Sequence, residues 1–390
     1  MSVPKLRFKD DDGSDFPEWE EKFLGDLCST FKSGTGITSD KIKEKESYPV
    51  YGGNGLRGFT DTYTHDGFFV LIGRQGALCG NINRSYGKAY ISEHAIAAQA
   101  NQFSDTEWLA QKLDILKLNR LSESSAQPGL AVNKLVKLQL IVPTKPEQTK
   151  IANFLTAVDE KITQLTQKCE LLAQYKKGVM QQIFSQELRF KDDDGRDFPE
   201  WESMVIGDIT DKVIAGGTPS TLKKDYWNGT IRWMNSGELN LKRVFEVENR
   251  ITASGLDNSS TKLIPPRCVL IGLAGQGKTR GTVAMNMVEL CTNQSIASIY
   301  PKPEIFNEEF LYQNLDFRYE ELRGLSTGDG GRGGLNLQII KSVNIHLPSI
   351  REQTKIANFL STVDDKISNA QAQLAAVKQY KQGLLQQMFV

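Results

Sequence analysis

Glu147–Ile162 reads EQTKIANFLTAVDEKI, and Glu352–Ile367 reads EQTKIANFLSTVDDKI. From each stretch the chain continues with residues stepping alternately by four and three. The first series is Ile151, Leu155, Val158, Ile162, Leu165, Cys169, Leu172, Lys176, Val179 and Ile183. The second is Ile356, Leu360, Val363, Ile367, Ala370, Leu374, Val377, Lys381, Leu384 and Met388, with lysine at the same step in both. A 4-3 stripe held this long is the seam of a coiled coil. A helix from Glu147 to Phe184 would be on the order of 57 Å long at about 1.5 Å per residue. Such a stripe can pair within a chain or between two chains, and the second copy in the same chain favours the former. The spacing therefore predicts two long helices that bury each other, antiparallel so that the second half of the chain can leave one and return to the other.

Outward from the helices, a second repeat appears. LRFKDDDGSDFPEWE at Leu6–Glu20 returns as LRFKDDDGRDFPEWE at Leu188–Glu202. This tag recurs after 182 residues and the helix start after 205, so the second middle segment is 23 residues longer. The ends of each half match while the middles differ, and the period is far longer than any solenoid unit. The expected architecture is α+β, with a pseudo-twofold internal repeat. It divides into a mixed domain at 1–146 including its tag, a helix at 147–187, a second mixed domain at 188–351 and a closing helix at 352–390. Apolar runs at Phe68–Ile72, Cys268–Ile271, Leu135–Val142 and Val343–Leu347 read as strands. Ser104–Asn119 reads as a helix with Ser104 and Glu107 in capping-box spacing, and Asn307–Arg323 takes its place in the second half.

The chain has 47 basic and 47 acidic residues and no net charge. The tags hold a concentrated share of the acids, and the middles are slightly positive. Residues 21–146 carry 15 bases against 12 acids, and 203–351 carry 17 against 15. That balance permits nucleic-acid binding without demanding it. Five cysteines without C-x-x-C spacing read as reduced thiols, and no apolar run is long enough to span a bilayer, so a cytoplasmic location is expected.

Catalytic patterns are scarce. His65, His94 and His346 share no metal-ligand spacing, and no G-x-S-x-G elbow occurs. The acidic tag is not a calcium loop, because Phe8 stands where D-x-[DN]-x-[DN]-G needs an acid or amide before Gly13. Phe16, Pro17 and Trp19, with Phe198, Pro199 and Trp201, look instead like docking plugs. Gly272–Thr279 fits the Walker A pattern after a strand, which would suggest nucleotide binding. A phosphate loop must open a helix, however, and Val283-Ala284-Met285 looks like a second strand. A strand-to-strand turn presenting polar side chains is the better reading. Gln and Arg in such turns can pair bidentately with adenine and guanine edges.

Two dissimilar middles, each followed by an E-Q-x-x-I-A-x-F-L-x-x-x-D-x-x-I helix, resemble the specificity subunit of Type I restriction and modification systems. The resemblance implies two target recognition domains, each reading half of a split DNA sequence. It implies helices that dock two methyltransferase subunits as well as restriction subunits. Chemistry would then belong to those partners, with S-adenosylmethionine, ATP and Mg, and this chain would carry no cofactor and no catalytic residue. The competing expectations are a P-loop nucleotide-binding protein and a coiled-coil scaffold without a DNA role. The middles offer no motif for transfer, so candidate DNA contacts come from chemistry: polar residues in glycine-rich turns. In the first domain these are Lys32, Ser33, Thr35, Asn54, Arg57, Arg74, Gln75, Asn83 and Arg84. In the second they are Thr218, Ser220, Lys223, Asn235, Ser236, Gln276, Lys278, Thr279, Arg280 and Arg332.

Overall fold

In the computed structural model, which describes residues 4–76, 78–122, 129–275, 279–325 and 334–389, both repeated stretches open long helices, Lys145–Phe184 and Ile350–Met388. Each begins two residues before the expected start. Pro146 is tolerated there because first-turn N–H groups have no helical partner. Gln148 and Gln353 fold back to donate to the carbonyls of Pro143 and Pro348, both at 2.8 Å.

The chain divides into two compact units, 1–167 with 371–390, and 168–370. The expected division set the helices apart from the domains, whereas each unit takes one end of either helix. Packing explains the difference. Ile151, Leu155 and Val158 share a core with Leu384 and Met388 in the first unit. Val179, Met180 and Ile183 share one with Ile356 and Leu360 in the second. Seam positions farther along, Ile162, Leu172, Ile367, Leu374 and Val377, are only half-buried, while Leu165 and Val363 are buried. The two seam lysines find carboxylates on the opposite long helix. Lys381 lies 2.5 Å from Asp159 in the first unit, and Lys176 lies 2.6 Å from Asp364 in the second.

In the first unit one sheet has the strand order Cys28–Ser33, Ala95–Ala100, Phe69–Gly73, Ile82–Ser85. A second has the order Gly55–Thr60, Tyr48–Gly52, Lys88–Ile91, His65–Asp66. Alternation along Phe69–Ile72 sends Val70 and Ile72 toward Trp108, Leu109 and the long helix, and Phe69 and Leu71 toward Ile91 of the other sheet. The run is therefore apolar on both faces, and each such side chain contributes about 1.5–3 kcal/mol on full burial. The helix over the sheet spans Thr106–Ile115 rather than Ser104–Asn119. Its cap is Asp105, not Ser104, because the Asp105 carboxylate accepts from the N–H groups of Glu107 and Trp108. The expected strand at Leu135–Val142 is likewise shorter. Val132–Leu135 is a helical turn, and only Gln139–Val142 pairs, antiparallel to Glu20–Phe23.

The second unit repeats this plan with different side chains. Val213–Ala215, Ile296–Ile299, Val269–Gly272 and Val283–Asn286 are ordered as in the first, with an extra edge strand, Arg243–Val244. Asn249–Ile251, Trp227–Met234, Leu290–Thr292 and Leu263–Ile264 form the companion sheet. Even the mixed pairing recurs: Tyr48–Gly52 runs parallel to Lys88–Ile91, and Trp227–Met234 parallel to Leu290–Thr292. Much of the added length sits in one place. The first unit joins Gly52 to Gly55 by two residues, and the second needs 235–248 to join the matching strands.

Each tag clamps onto the start of a long helix. Glu147 is fully buried and accepts from Arg7 Nε and Nη2 at 3.0 and 2.9 Å and from Trp19 Nε1 at 3.1 Å. Glu352 does the same with Arg189 at 3.2 and 2.9 Å and Trp201 at 3.2 Å. Arg7 also donates to the carbonyls of Phe16 and Pro17, and Arg189 to those of Phe198 and Pro199. The two repeated sequences are thus two sides of one contact.

Candidate nucleic-acid interface

The strand Val283–Asn286 is fully buried and pairs antiparallel with Val269–Gly272, so the Walker-like stretch joins two strands and opens no helix. This removes the geometry a phosphate loop needs. Thr279 is half-buried and Arg280 buried. Gln276, Lys278 and Arg332 lie outside the described residues.

Main-chain hydrogen bonds superimpose the turns of the two units position by position. Gly34 N donates to Ala95 O as Gly216 N does to Ile296 O, and Thr35 N to Ile91 O as Gly217 N does to Thr292 O. Arg74 N donates to His94 O as Leu273 N does to Ser295 O, and Leu130 N to Arg74 O as Leu335 N does to Leu273 O. The turn joining the two sheets closes by Ala95 N to Ser92 O in one unit and Ile296 N to Asn293 O in the other. Glycine permits the close approach: a Cβ on Gly34 would lie 2.2 Å from Ile91 O, and one on Gly216 2.0 Å from Thr292 O.

On this shared frame the side chains differ. In the first unit Asn54, Arg57, Gln75 and His94 line one cleft with Gly53 and Leu78, and His94 Nδ1 lies 3.3 Å from Gln75 Oε1. Asn54, Arg57 and Gln75 are exposed, Arg74 and Asn83 half-buried, and the Asn83 amide oxygen lies beside Gly55. Thr35 is exposed beside the Ile91 carbonyl. Lys32 and Ser33 lie on the edge strand Cys28–Ser33. Burial first, and then the charge of Lys32, pushes the His65 imidazole below its ordinary range. Arg84 is occupied elsewhere, donating to Glu107 at 2.6–3.0 Å, a bond that holds its guanidinium still more firmly protonated.

In the second unit Thr218 Oγ1 donates to Gln294 Oε1 at 2.5 Å. Ser220 accepts at its carbonyl from Trp227, and Lys223 donates to the Tyr226 hydroxyl at 2.9 Å. The Asn235 side chain caps the short helix that begins at Ser236. Of the candidates, Asn54, Arg57 and Gln75 share that cleft in the first unit, and Thr218, Ser220 and Lys223 lie along one loop in the second; the structure does not gather the other described candidates with them. His94 and Gln294 were absent from the sequence-based set. Nothing in sequence aligns residues 91–95 with 292–296, since only the main-chain pairing does so.

A family model described as the Type I restriction modification DNA specificity domain matches the chain twice, at residues 17–173 and 199–379. An Escherichia coli Type I restriction enzyme EcoprrI specificity subunit is 39% identical over 166 residues, 42% of this chain and 40% of that protein. A Methanocaldococcus jannaschii MjaIX specificity subunit is 30% identical over 53% of this chain and 48% of its own length, so the chain spans less than half of either relative. A putative type I specificity subunit from Mycoplasma pneumoniae is 26% identical over 86% of both chains. The crystal structure of a Type I restriction-modification S subunit from M. genitalium shares the fold at 15% identity, with TM-score 0.69 over 100% of this chain and 99% of that one.

Proposed function

The chain belongs to the family of the Type I restriction modification DNA specificity domain, and from that premise we propose that it is the DNA sequence-specificity subunit of a Type I restriction-modification complex. One observation carries this reading furthest: two domains with the same strand order and turn hydrogen bonds present different side chains from those turns. That is what reading two unlike half-sites requires. Lysine and arginine contacts to phosphates set the register, and side chains on the turns read base edges.

The two long helices pair antiparallel as a coiled coil within a pseudo-twofold internal repeat, and their length sets the gap between half-sites. Supporting this, Lys381 meets Asp159 and Lys176 meets Asp364, the same pair of repeat positions used reciprocally. The chain itself performs no chemistry. Two methyltransferase subunits and the restriction subunits dock on it in the cytoplasm and bring S-adenosylmethionine, ATP and Mg to double-stranded DNA.

Sequencing methylated DNA from a host carrying the chain with its partners tests the assignment. Exchanging Tyr48–Asn101 for the same region of a relative changes one half of the methylated sequence, and a change in both halves contradicts independent readers. Inserting one helical turn into both long helices lengthens the unread gap and leaves both half-sites intact. Unchanged spacing refutes the ruler.

A further inference from the structure

Glycine fixes the backbone of the turn that joins the two sheets, from two sides in the first unit and from one in the second. In the first unit a Cβ on Gly34 would meet Ser92 O at 2.4 Å, and one on Gly53 would meet His94 O at 2.8 Å. In the second unit Gly216 packs against Thr292 as closely as Gly34 does against Ile91. A turn held this way cannot shift its main chain, so its central side chains leave from a rigid platform, the condition for selective recognition.

Those side chains are Ser92, Glu93 and His94 in one unit and Asn293, Gln294 and Ser295 in the other. In each unit one of them is bonded to a residue from a different turn. His94 meets Gln75 after the strand Phe69–Gly73, and Gln294 meets Thr218 after the strand Val213–Ala215. The partner comes from different places on the frame: the position matching Gln75 is Ala274, and the position matching Thr218 is Gly36. The His94 ring is held between Gln75 at Nδ1 and Glu93, whose carboxylate lies 3.4 Å from Nε2, while the amides of Gln75 and Gln294 are exposed, so the outward hydrogen-bonding capacity is theirs. An amide oriented by a neighbour presents a donor and an acceptor side by side, which suits the paired groups of a base edge in the major groove. Neither pair answers a structural need, since the main-chain bonds already close both turns.

Resting on the DNA-reading assignment, we infer that the inter-sheet turn is the specificity-determining element of each domain, with Gln75 and His94 reading one half-site and Thr218 and Gln294 the other. The two members of a pair act on the same base pair, because each orients the other. The second domain's reading is thus carried by Gln294 and Thr218.

The test uses the full chain expressed with its methyltransferase partners, and methylated sites are sequenced for His94→Ala, Gln75→Ala, their double variant, Gln294→Ala and Thr218→Ala. Loss of a good base contact relaxes discrimination by on the order of ten- to a hundred-fold at one base pair. His94→Ala, Gln75→Ala and the double variant should relax the same single position, the double no further than the stronger single. Gln294→Ala and Thr218→Ala should relax one position in the opposite half. Unchanged targets, relaxation at different positions within a pair, or effects in both halves overturn the inference while the wild-type target stands. A wild-type chain that directs no split-target methylation overturns the DNA-reading assignment itself and this inference with it. Thermal melting of each variant, with His94→Asn and Gln294→Asn as milder changes, separates loss of fold from loss of reading. A folded variant that abolishes methylation altogether also counts against the inference.

Discussion

The two clamps and the two mixed domains repeat in opposite ways. Arg7, Trp19 and Glu147 return letter for letter as Arg189, Trp201 and Glu352, with bonds matched to within 0.2 Å. The domains between them return the same strand order with scarcely a shared side chain. Where a contact needs one particular donor meeting one particular acceptor in a dry place, the residues repeat. Where main-chain bonds and a two-sided apolar strand suffice, only the pattern does.

The sharpest way to break that contrast is to remove a buried clamp carboxylate. Glu147→Ala leaves Trp19 without its acceptor and Arg7 with only the carbonyls of Phe16 and Pro17, and loss of the buried partner of such an ion pair costs roughly 3–5 kcal/mol. Glu352→Ala should cost about as much, because its partners and distances are the same. Denaturant unfolding of both variants measures this, and a markedly unequal pair of losses would mean that the repeated letters hide different environments.

A smaller effect probes the domains, where only the frame is shared. Gly34→Ala and Gly216→Ala each push a methyl group against a carbonyl oxygen, and such overpacking costs about 1–3 kcal/mol. The losses should match although the surrounding side chains do not. A tolerated Gly216→Ala beside a damaging Gly34→Ala would show that the frames are not equivalent.

The smallest effect concerns the seam. Lys176 and Lys381 are partly exposed and pair with carboxylates that are likewise partly exposed, so Lys176→Met and Lys381→Met should each change stability by less than about 1 kcal/mol. Their value would lie in orientation, because a lysine on an apolar stripe tolerates fewer registers than a methionine. Crosslinking between cysteines placed on the two helices should give one register in the wild type and several in the double variant.

What could be read from the sequence follows the same division. The seam periodicity, the repeated tags and the strand at Phe69–Gly73 are legible because each rests on side-chain type, whereas the Arg7–Glu147 contact is not, since Phe16, Pro17 and Trp19 read only as a docking plug. Nor is the strand order of the middles, since it rests on N–H and C=O groups that every residue carries. Gly34 and Gly216 were the faint marks of it, easily lost among 33 glycines. Arg84 illustrates a reversal. As an arginine on a turn-flanking strand it reads as a DNA contact, yet it spans to Glu107 on the covering helix. In the second unit Arg243 reaches Glu309 from a different strand and stacks on Tyr312, replacing the link by another route. Asp105 took the cap from Ser104 because it alone sits one residue before the helix.

The clamp has one further consequence. Arg7 and Glu147 stand at the two ends of the first domain, and Glu20–Phe23 pairs with Gln139–Val142 just inside them, so the polypeptide enters and leaves through one doorway. The second domain is closed by Arg189, Glu352 and the pairing of Glu202–Val205 with Asn344–Leu347. Any cassette whose own ends meet at that spacing can be plugged into such a socket without the socket being rebuilt.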